Sequence, residues 1–272
     1  MAHVACLTFD FDVVSSWIWR DQVTPTALSR GEFGLVGARR ILDLLAGEGI
    51  ATTWFIPGHT IESFPLDCRA VIEAGHEVGH HGYLHEPPAE LGSRKAEAAV
   101  LDRSLVLIRE LTGADPAGYR SPSWDLSPHT VELLLERGFV YDSSLMGDDY
   151  TPYHCRTGDV VSKDGPFLRG EPTALWEIPI SWSLDDYPAF EYTRRAGVLQ
   201  QGLMNARAVL ENWVSDAVYL KNNLESGVIT YTMHPQVIGR GHRMVMLQAL
   251  IGSLRDLGFE FKTMKEALAE WR

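Results

Sequence analysis

The sequence predicts an α/β fold, a single domain over residues 1–272 built as a barrel of seven or eight strands. Three observations carry this. Short β-like runs alternate with helical runs along all 272 residues; no Pro/Gly/Ser-rich linker or internal repeat divides them; and no strand leads into the glycine-rich phosphate turn that opens a doubly wound sheet. A composition of 45% hydrophobic and 22% charged residues is that of a globular chain large enough for one core.

The elements follow in order. Residues 4–9 read as a strand, and residues 36–46 as an amphipathic helix with Ile41, Leu42, Leu44 and Leu45 on its apolar stripe. The glycine run Gly31, Gly34 and Gly37, which overlaps the start of that helix, reads as a loop. Residues 51–56 are β-branched and aromatic and stop at Pro57-Gly58. A short helix over 66–74 ends at Gly75, a strand follows at 77–79, and the longest helical stretch, 94–111, stops at Gly113. Residues 117–119 give the next strand. Ser127, Pro128 and Gly138 punctuate a helix as N-cap, first position and stop. Strands at 139–142 and 175–180 flank a long polar loop, 146–172. Helical segments cover 197–226, followed by a strand at 228–233, a helix at 243–257, a strand at 259–262 and a terminal helix ending near Trp271.

Charge and cysteine content exclude several classes. Thirty-six acidic residues against 24 basic ones, a net charge of −12, leave no cationic footprint for nucleic acid or anionic membrane. The three cysteines, Cys6, Cys68 and Cys155, are too widely spaced for a disulfide framework or thiolate zinc site. The amino terminus has no basic segment and is interrupted by Asp10 and Asp12, so a cytoplasmic location is expected.

Ligand sites in parallel α/β folds lie at the carboxyl ends of the strands. That rim collects Asp10 and Asp12 after the first strand, His81 and His85 after the third, Arg120, Asp142 and His234 after later ones. Strand alternation places Asp10 and Asp12 on one face with Phe11 on the other. Two such acids repel unless a cation, a shared proton or a basic partner sits with them; a solvated turn or helix cap is the other reading. His81 and His85 have the spacing that lets two imidazoles chelate one metal, although paired surface or core histidines fit equally, and His76 and His80 crowd the same segment. With Asp12 they would form a two-histidine, one-carboxylate set with open positions. Among the aromatic residues, Trp17, Trp19, Trp124, Trp182, Tyr187 and Tyr83 are candidates for a pocket wall, with Arg240 just beyond His234.

Thr8-Phe9-Asp10-Phe11-Asp12, His81-Gly82-Tyr83-Leu84-His85, Arg120-Ser121-Pro122-Ser123-Trp124, Tyr141-Asp142-Ser143-Ser144 and Thr232-Met233-His234-Pro235-Gln236 resemble, in order and spacing, the successive motifs of the polysaccharide deacetylase superfamily. The resemblance implies a distorted (β/α) barrel and a hydrolase of non-peptide carbon–nitrogen bonds that uses one divalent metal, usually zinc. Carried over, Asp12, His81 and His85 would ligate the metal, whose water attacks the amide. Asp10 would be the general base, paired with Arg120, and His234 the general acid, with Asp142 orienting it. Phe11 separates the two aspartates, where most of the superfamily has them adjacent. This feature resembles a branch containing peptidoglycan deacetylase-like proteins, cyclic imide hydrolases and an allantoinase, several of which are homo-oligomers, some tetrameric. The substrate implied is an N-acetylated amino sugar or a small cyclic imide or ureide. A catalytically silent ligand-binding barrel is the reading from another class.

Overall fold

The computed structural model describes residues 2–195 and 198–271, with side chains for all but 193–195 and 198–201. Its strands are β1 (His3–Asp10), β2 (Thr53–Ile56), β3 (Glu77–His80), β4 (Gly118–Tyr119), β5 (Tyr141–Asp142), β6 (Tyr153–Thr157), β7 (Glu171–Glu177), β8 (Tyr192–Arg195), β9 (Val198–Gln201), β10 (Gly227–Met233) and β11 (Glu260–Phe261). The main sheet runs β10-β1-β2-β3-β4-β5-β7-β6, with β11 beside the start of β1. Every neighbouring pair on this path is parallel except β6 with β7.

Helices cover the outside of the sheet, which is why β1 is buried along almost its whole length rather than alternating. Between β7 and β10 the barrel closes irregularly. An isolated parallel bridge joins Asp185 to Thr232, and the Val228 N–H donates to the Tyr150 carbonyl at 2.9 Å. This is the expected barrel in its distorted form. Parallel register (Phe9 opposite Met233, Asp10 opposite Phe55, Tyr119 opposite Asp142) brings the carboxyl ends of β1 to β5 and β10 to one rim.

Three expectations need correction. The glycines Gly31, Gly34 and Gly37 are not a loop but lie inside one long helix, Pro25–Glu48. Thr24 caps it by accepting from the Ala27 N–H, and Gly49 ends it in the left-handed conformation. Gly31 and Gly37 face backbone. A Cβ on Gly31 would lie 2.4 Å from the Val13 carbonyl oxygen, and one on Gly37 would lie 1.9 Å from that of Pro235. Close packing against the segments that follow β1 and β10 therefore overrides the low helix propensity of glycine.

The polar loop over 146–172 contains β6, which pairs antiparallel with β7. The helical reading of 197–226 holds only for Ala206–Asn223; it includes β9, which pairs with β8, and residue 197 lies outside the described residues.

The core joins Phe9 and Phe11 to Trp54, with ring centroids at 4.8 and 5.6 Å. Asp10 and Asp12 thereby point away from it. All three cysteines are buried and unpaired, and burial pushes each thiol above its ordinary value, so none is a nucleophile at neutral pH. No helix among the described residues is long and apolar enough to cross a membrane.

Candidate active site

Asp10 ends β1 and is 2% exposed. Its Oδ1 accepts from Arg120 Nη1 at 2.9 Å. Arg120 is itself wholly buried, fixed by further donations to Thr8 Oγ1 (2.8 Å), the Ser143 carbonyl (3.1 Å) and Ser143 Oγ (3.0 Å), with its guanidinium 4.2 Å from the centre of the Phe55 ring. Burial opposes ionisation of Asp10. The charges of Arg120, His81 and His234 outweigh it and hold the carboxyl below the usual range.

His81 Nδ1 lies 2.8 Å from the Arg120 carbonyl. A carbonyl only accepts, so Nδ1 carries a hydrogen and Nε2 is the ring nitrogen turned toward the aspartates. That Nε2 lies 3.6 Å from Asp12 Oδ1, while His85 Nε2 lies 3.5 Å from Asp12 Oδ2. Burial, reinforced by neighbouring positive groups, keeps His85 neutral well below its ordinary value. Asp12 Oδ1 and His81 Nε2 are buried without any hydrogen-bond partner. Two imidazoles and a carboxylate, with one donor atom each inside 4.8 Å of the others, fit one divalent cation.

The turn carrying these imidazoles is tightly held. Glu86 accepts from the backbone N–H groups of Tyr83 (3.0 Å) and Leu84 (2.6 Å), and Ser104 donates to the Gly82 carbonyl at 2.8 Å. His80 points the other way, into the core. Its Nε2 donates to the Leu101 carbonyl (3.2 Å) and its Nδ1 accepts from the Gly82 N–H (3.2 Å).

Burial pushes the pKa of His80 down to about 3 from 6.5. The unfolded chain therefore takes up a proton between these values that the folded chain refuses, and stability falls as pH drops through that window. The slope from this one group is at most about 1.4 kcal/mol per pH unit. In urea unfolding with chelator present, His80→Gln is expected to lose less stability than wild type between neutral pH and pH 5. Equal losses would contradict this assignment.

His234 follows β10. Its backbone N–H donates to the Asp186 carboxylate (3.0 and 3.1 Å), and its Nδ1 meets Asp186 Oδ1 at 2.8 Å. Its Nε2 lies 4.0 Å from Asp10 Oδ2. Burial disfavours the charged ring, but Asp186, Asp185 and Asp10 together raise its pKa well above the ordinary value.

Asp142 does not orient this imidazole. Its Oδ1 accepts from Ser144 Oγ at 2.6 Å, and it lies with Cys155 and Glu177 in a separate buried cluster. Glu177 in turn accepts from the Ser144 and Leu145 N–H groups, both at 2.9 Å. The reason is topological: β5, which carries Asp142, is separated from β10 by four strands. Burial raises the Asp142 carboxyl to about 6.

Asp185 and Asp186 were missed by sequence reasoning. The available signal was an Asp-Asp pair just past the strand read at 175–180, on the same rim; it lies in a segment with no periodicity.

These groups line a cavity of about 230 Å³, with Asp10, Asp12, His85, Asp185 and His234 on its polar side and Trp124, Trp182, Tyr187 and Arg20 among its walls. The Trp124 and Trp182 rings stack at 4.1 Å. Three of the lining residues, His85 (65°), Ser123 (57°) and Trp124 (53°), have positive φ, as does Val13 (50°) next to Asp12. Such strain persists where surrounding packing enforces it, as around a functional pocket.

Four residues expected in the wall are outside it. Tyr83 donates to Glu62 Oε2 at 2.6 Å beneath Arg103, and Arg240 stacks on Phe33 at 3.5 Å. Trp17 and Trp19 do not line the cavity either. A larger groove of about 600 Å³ between helices Ala206–Asn223 and Gly241–Asp256 is mainly apolar and holds no carboxylate.

Comparison with known proteins identifies the family. The sequence model of the polysaccharide deacetylase family matches residues 36–141. A peptidoglycan deacetylase of Helicobacter pylori is 38% identical over 255 residues, covering 89% of this chain and 86% of that protein. A peptidoglycan deacetylase-like protein of Gibberella zeae is 32% identical over 289 residues, covering 97% and 85%. A crystal structure from Mycobacterium smegmatis, assigned as a polysaccharide deacetylase, superposes with a TM-score of 0.83 at 29% identity, covering 99% of this chain and 89% of the other. This chain therefore belongs to the polysaccharide deacetylase family, whose members hydrolyse carbon–nitrogen bonds other than peptide bonds.

Proposed function

We propose that this chain is a single-domain, zinc-dependent hydrolase that removes N-acetyl groups from amino sugars. The observation that carries the reading is the convergence of the partnerless donor atoms of Asp12 and His81, with His85, beside the Asp10–Arg120 pair and opposite the His234–Asp186 pair. Asp12, His81 and His85 would hold the cation; mixed nitrogen and oxygen donors with open positions suit catalytic zinc. When bound, such a cation acidifies water and polarises an amide carbonyl.

The chain's own residues do the rest. Arg120 keeps Asp10 ionised and immobile, so that Asp10 accepts the proton of the attacking water. Across the cavity, Asp186 fixes the His234 ring through Nδ1 and favours its protonated form. Nε2–H then faces the reacting centre and delivers its proton to the departing nitrogen, which is too basic to leave as an anion. Trp124 and Trp182 give the substrate a flat apolar wall.

A second reading, hydrolysis of a small cyclic imide or ureide, is supported by the cavity itself. About 230 Å³ is room for one ring rather than a run of sugars. A silent binding barrel is disfavoured, because it has no need of an oriented acid and an oriented base together. We extend the proposal to a homo-oligomer: Val161, Phe167 and Leu168 are exposed on the stretch between β6 and β7, an apolar surface of the kind buried by association. A monomeric sedimentation profile would contradict that extension.

The deciding experiment compares acetate release from N-acetylglucosamine oligomers with ring opening of succinimide and hydantoin by zinc-loaded protein. Acetate release supports deacetylation, ring opening alone supports the second reading, and inertness toward all of them contradicts both.

A further inference from the structure

The cavity holds one charged group that the mechanism above does not use. Arg20 follows the helix Ser15–Trp19 and is half-buried at the cavity wall. Its guanidinium is anchored on two sides: Nε donates to the Ser16 carbonyl at 2.8 Å, and Nη1 donates to the Tyr187 hydroxyl at 3.1 Å. It also sits 5.8 Å from the centre of the Tyr187 ring.

Among the described residues no carboxylate forms an ion pair with Arg20, and Nη2 has no hydrogen-bond partner. The carboxylates lining the cavity have closer partners than Arg20. Asp10 pairs with Arg120, Asp12 lies between two imidazoles and Asp186 holds His234. A guanidinium with no carboxylate in contact, anchored on two sides beside a cavity sized for one ring, presents donors that fit a carboxylate.

We propose that Arg20 is a specificity-determining residue and that the preferred substrate carries a carboxylate near its scissile amide. The inference rests on the hydrolase reading above and narrows it. Two kinds of molecule supply this chemistry: an N-acetylated amino sugar with a carboxyalkyl ether, and a cyclic ureide with a carboxymethyl side chain.

The test uses matched pairs with zinc-loaded full-length protein: N-acetylglucosamine against its 3-O-lactyl ether, and hydantoin against hydantoin-5-acetate. The two arms identify the source of the carboxylate. Wild type is expected to favour the carboxylate member by about tenfold or more in kcat/KM, the size of one charge-assisted contact at a partly exposed site. Arg20→Gln should abolish that preference through KM, and Arg20→Lys should restore part of it.

Binding of the same probes to Asp10→Asn protein, with and without Arg20→Gln, is measured by calorimetry independently of turnover. Turnover without a carboxylate preference, or a preference that Arg20→Gln leaves intact, overturns the role of Arg20 while the hydrolase reading stands. Absent turnover with Arg20-dependent binding of a carboxylate probe supports Arg20 and sinks the hydrolase reading. Neither turnover nor binding of any probe overturns both.

Discussion

Replacing Asp10 by asparagine is expected to lower kcat by about 10²- to 10⁴-fold, the usual contribution of a positioned general base. The amide is nearly isosteric, and its oxygen can still accept from Arg120, which occupies Asp10 Oδ1 at 2.9 Å. It cannot take a proton from water. Arg120 would then be a fully buried cation without its counter-charge, so some loss of stability is expected as well. Zinc content separates the two effects. Because Asp12, His81 and His85 are untouched, the variant should still bind one zinc per chain, and a folded, metal-replete Asp10→Asn protein with wild-type kcat would remove Asp10 from proton transfer.

Gly37→Ala should have the largest effect of any single methyl group in the long helix. A Cβ there would sit 1.9 Å from the Pro235 carbonyl oxygen and 2.7 Å from its carbon, and neither is the end of a flexible side chain. Helix and segment must move apart. Overpacking of this kind costs about 1–3 kcal/mol, and because Pro235 directly follows His234 the shift should also lower kcat. Gly47→Ala is the internal control. It lies in the same helix with nothing within 4 Å of its added Cβ, so it should be neutral or stabilise the protein by up to about 1 kcal/mol. Urea unfolding of both variants checks this; equal midpoints would contradict the claim that the glycine face sets the spacing between helix and active-site segment.

The two results would also explain why some of this molecule is legible from sequence and some is not. Asp10, Asp12, His81, His85, Arg120 and His234 are readable because strand ends are marked by apolar runs, and parallel strands deliver those ends to one rim. Side-chain direction on that rim is less readable. Asp142 and His234 both lie there, yet Asp142 turns toward Ser144 and Glu177, and the imidazole is served by Asp186 from an irregular segment that no periodicity announces.

The glycine-bearing half of the long helix is misread for a different reason. Local propensity counts Gly31, Gly34 and Gly37 against a helix, whereas tertiary packing requires them in one. Thr24 and Pro25 supply the cap and first-position signals that mark its true start. The walls of the cavity are the least legible part. Trp124 and Trp182 meet across 58 residues of sequence, and Tyr83 and Arg240, equally plausible by type, stack on other partners.

The most direct test of the account is a zinc titration of chelated protein, wild type and His81→Ala, followed by hydrolysis of whichever amide substrate wild type accepts. The chelated wild type should be inactive and regain activity in proportion to zinc up to one ion per chain, while His81→Ala should neither retain zinc nor recover. Undiminished hydrolysis by the chelated wild type, or full zinc occupancy in His81→Ala, would contradict a metal centre built on Asp12, His81 and His85.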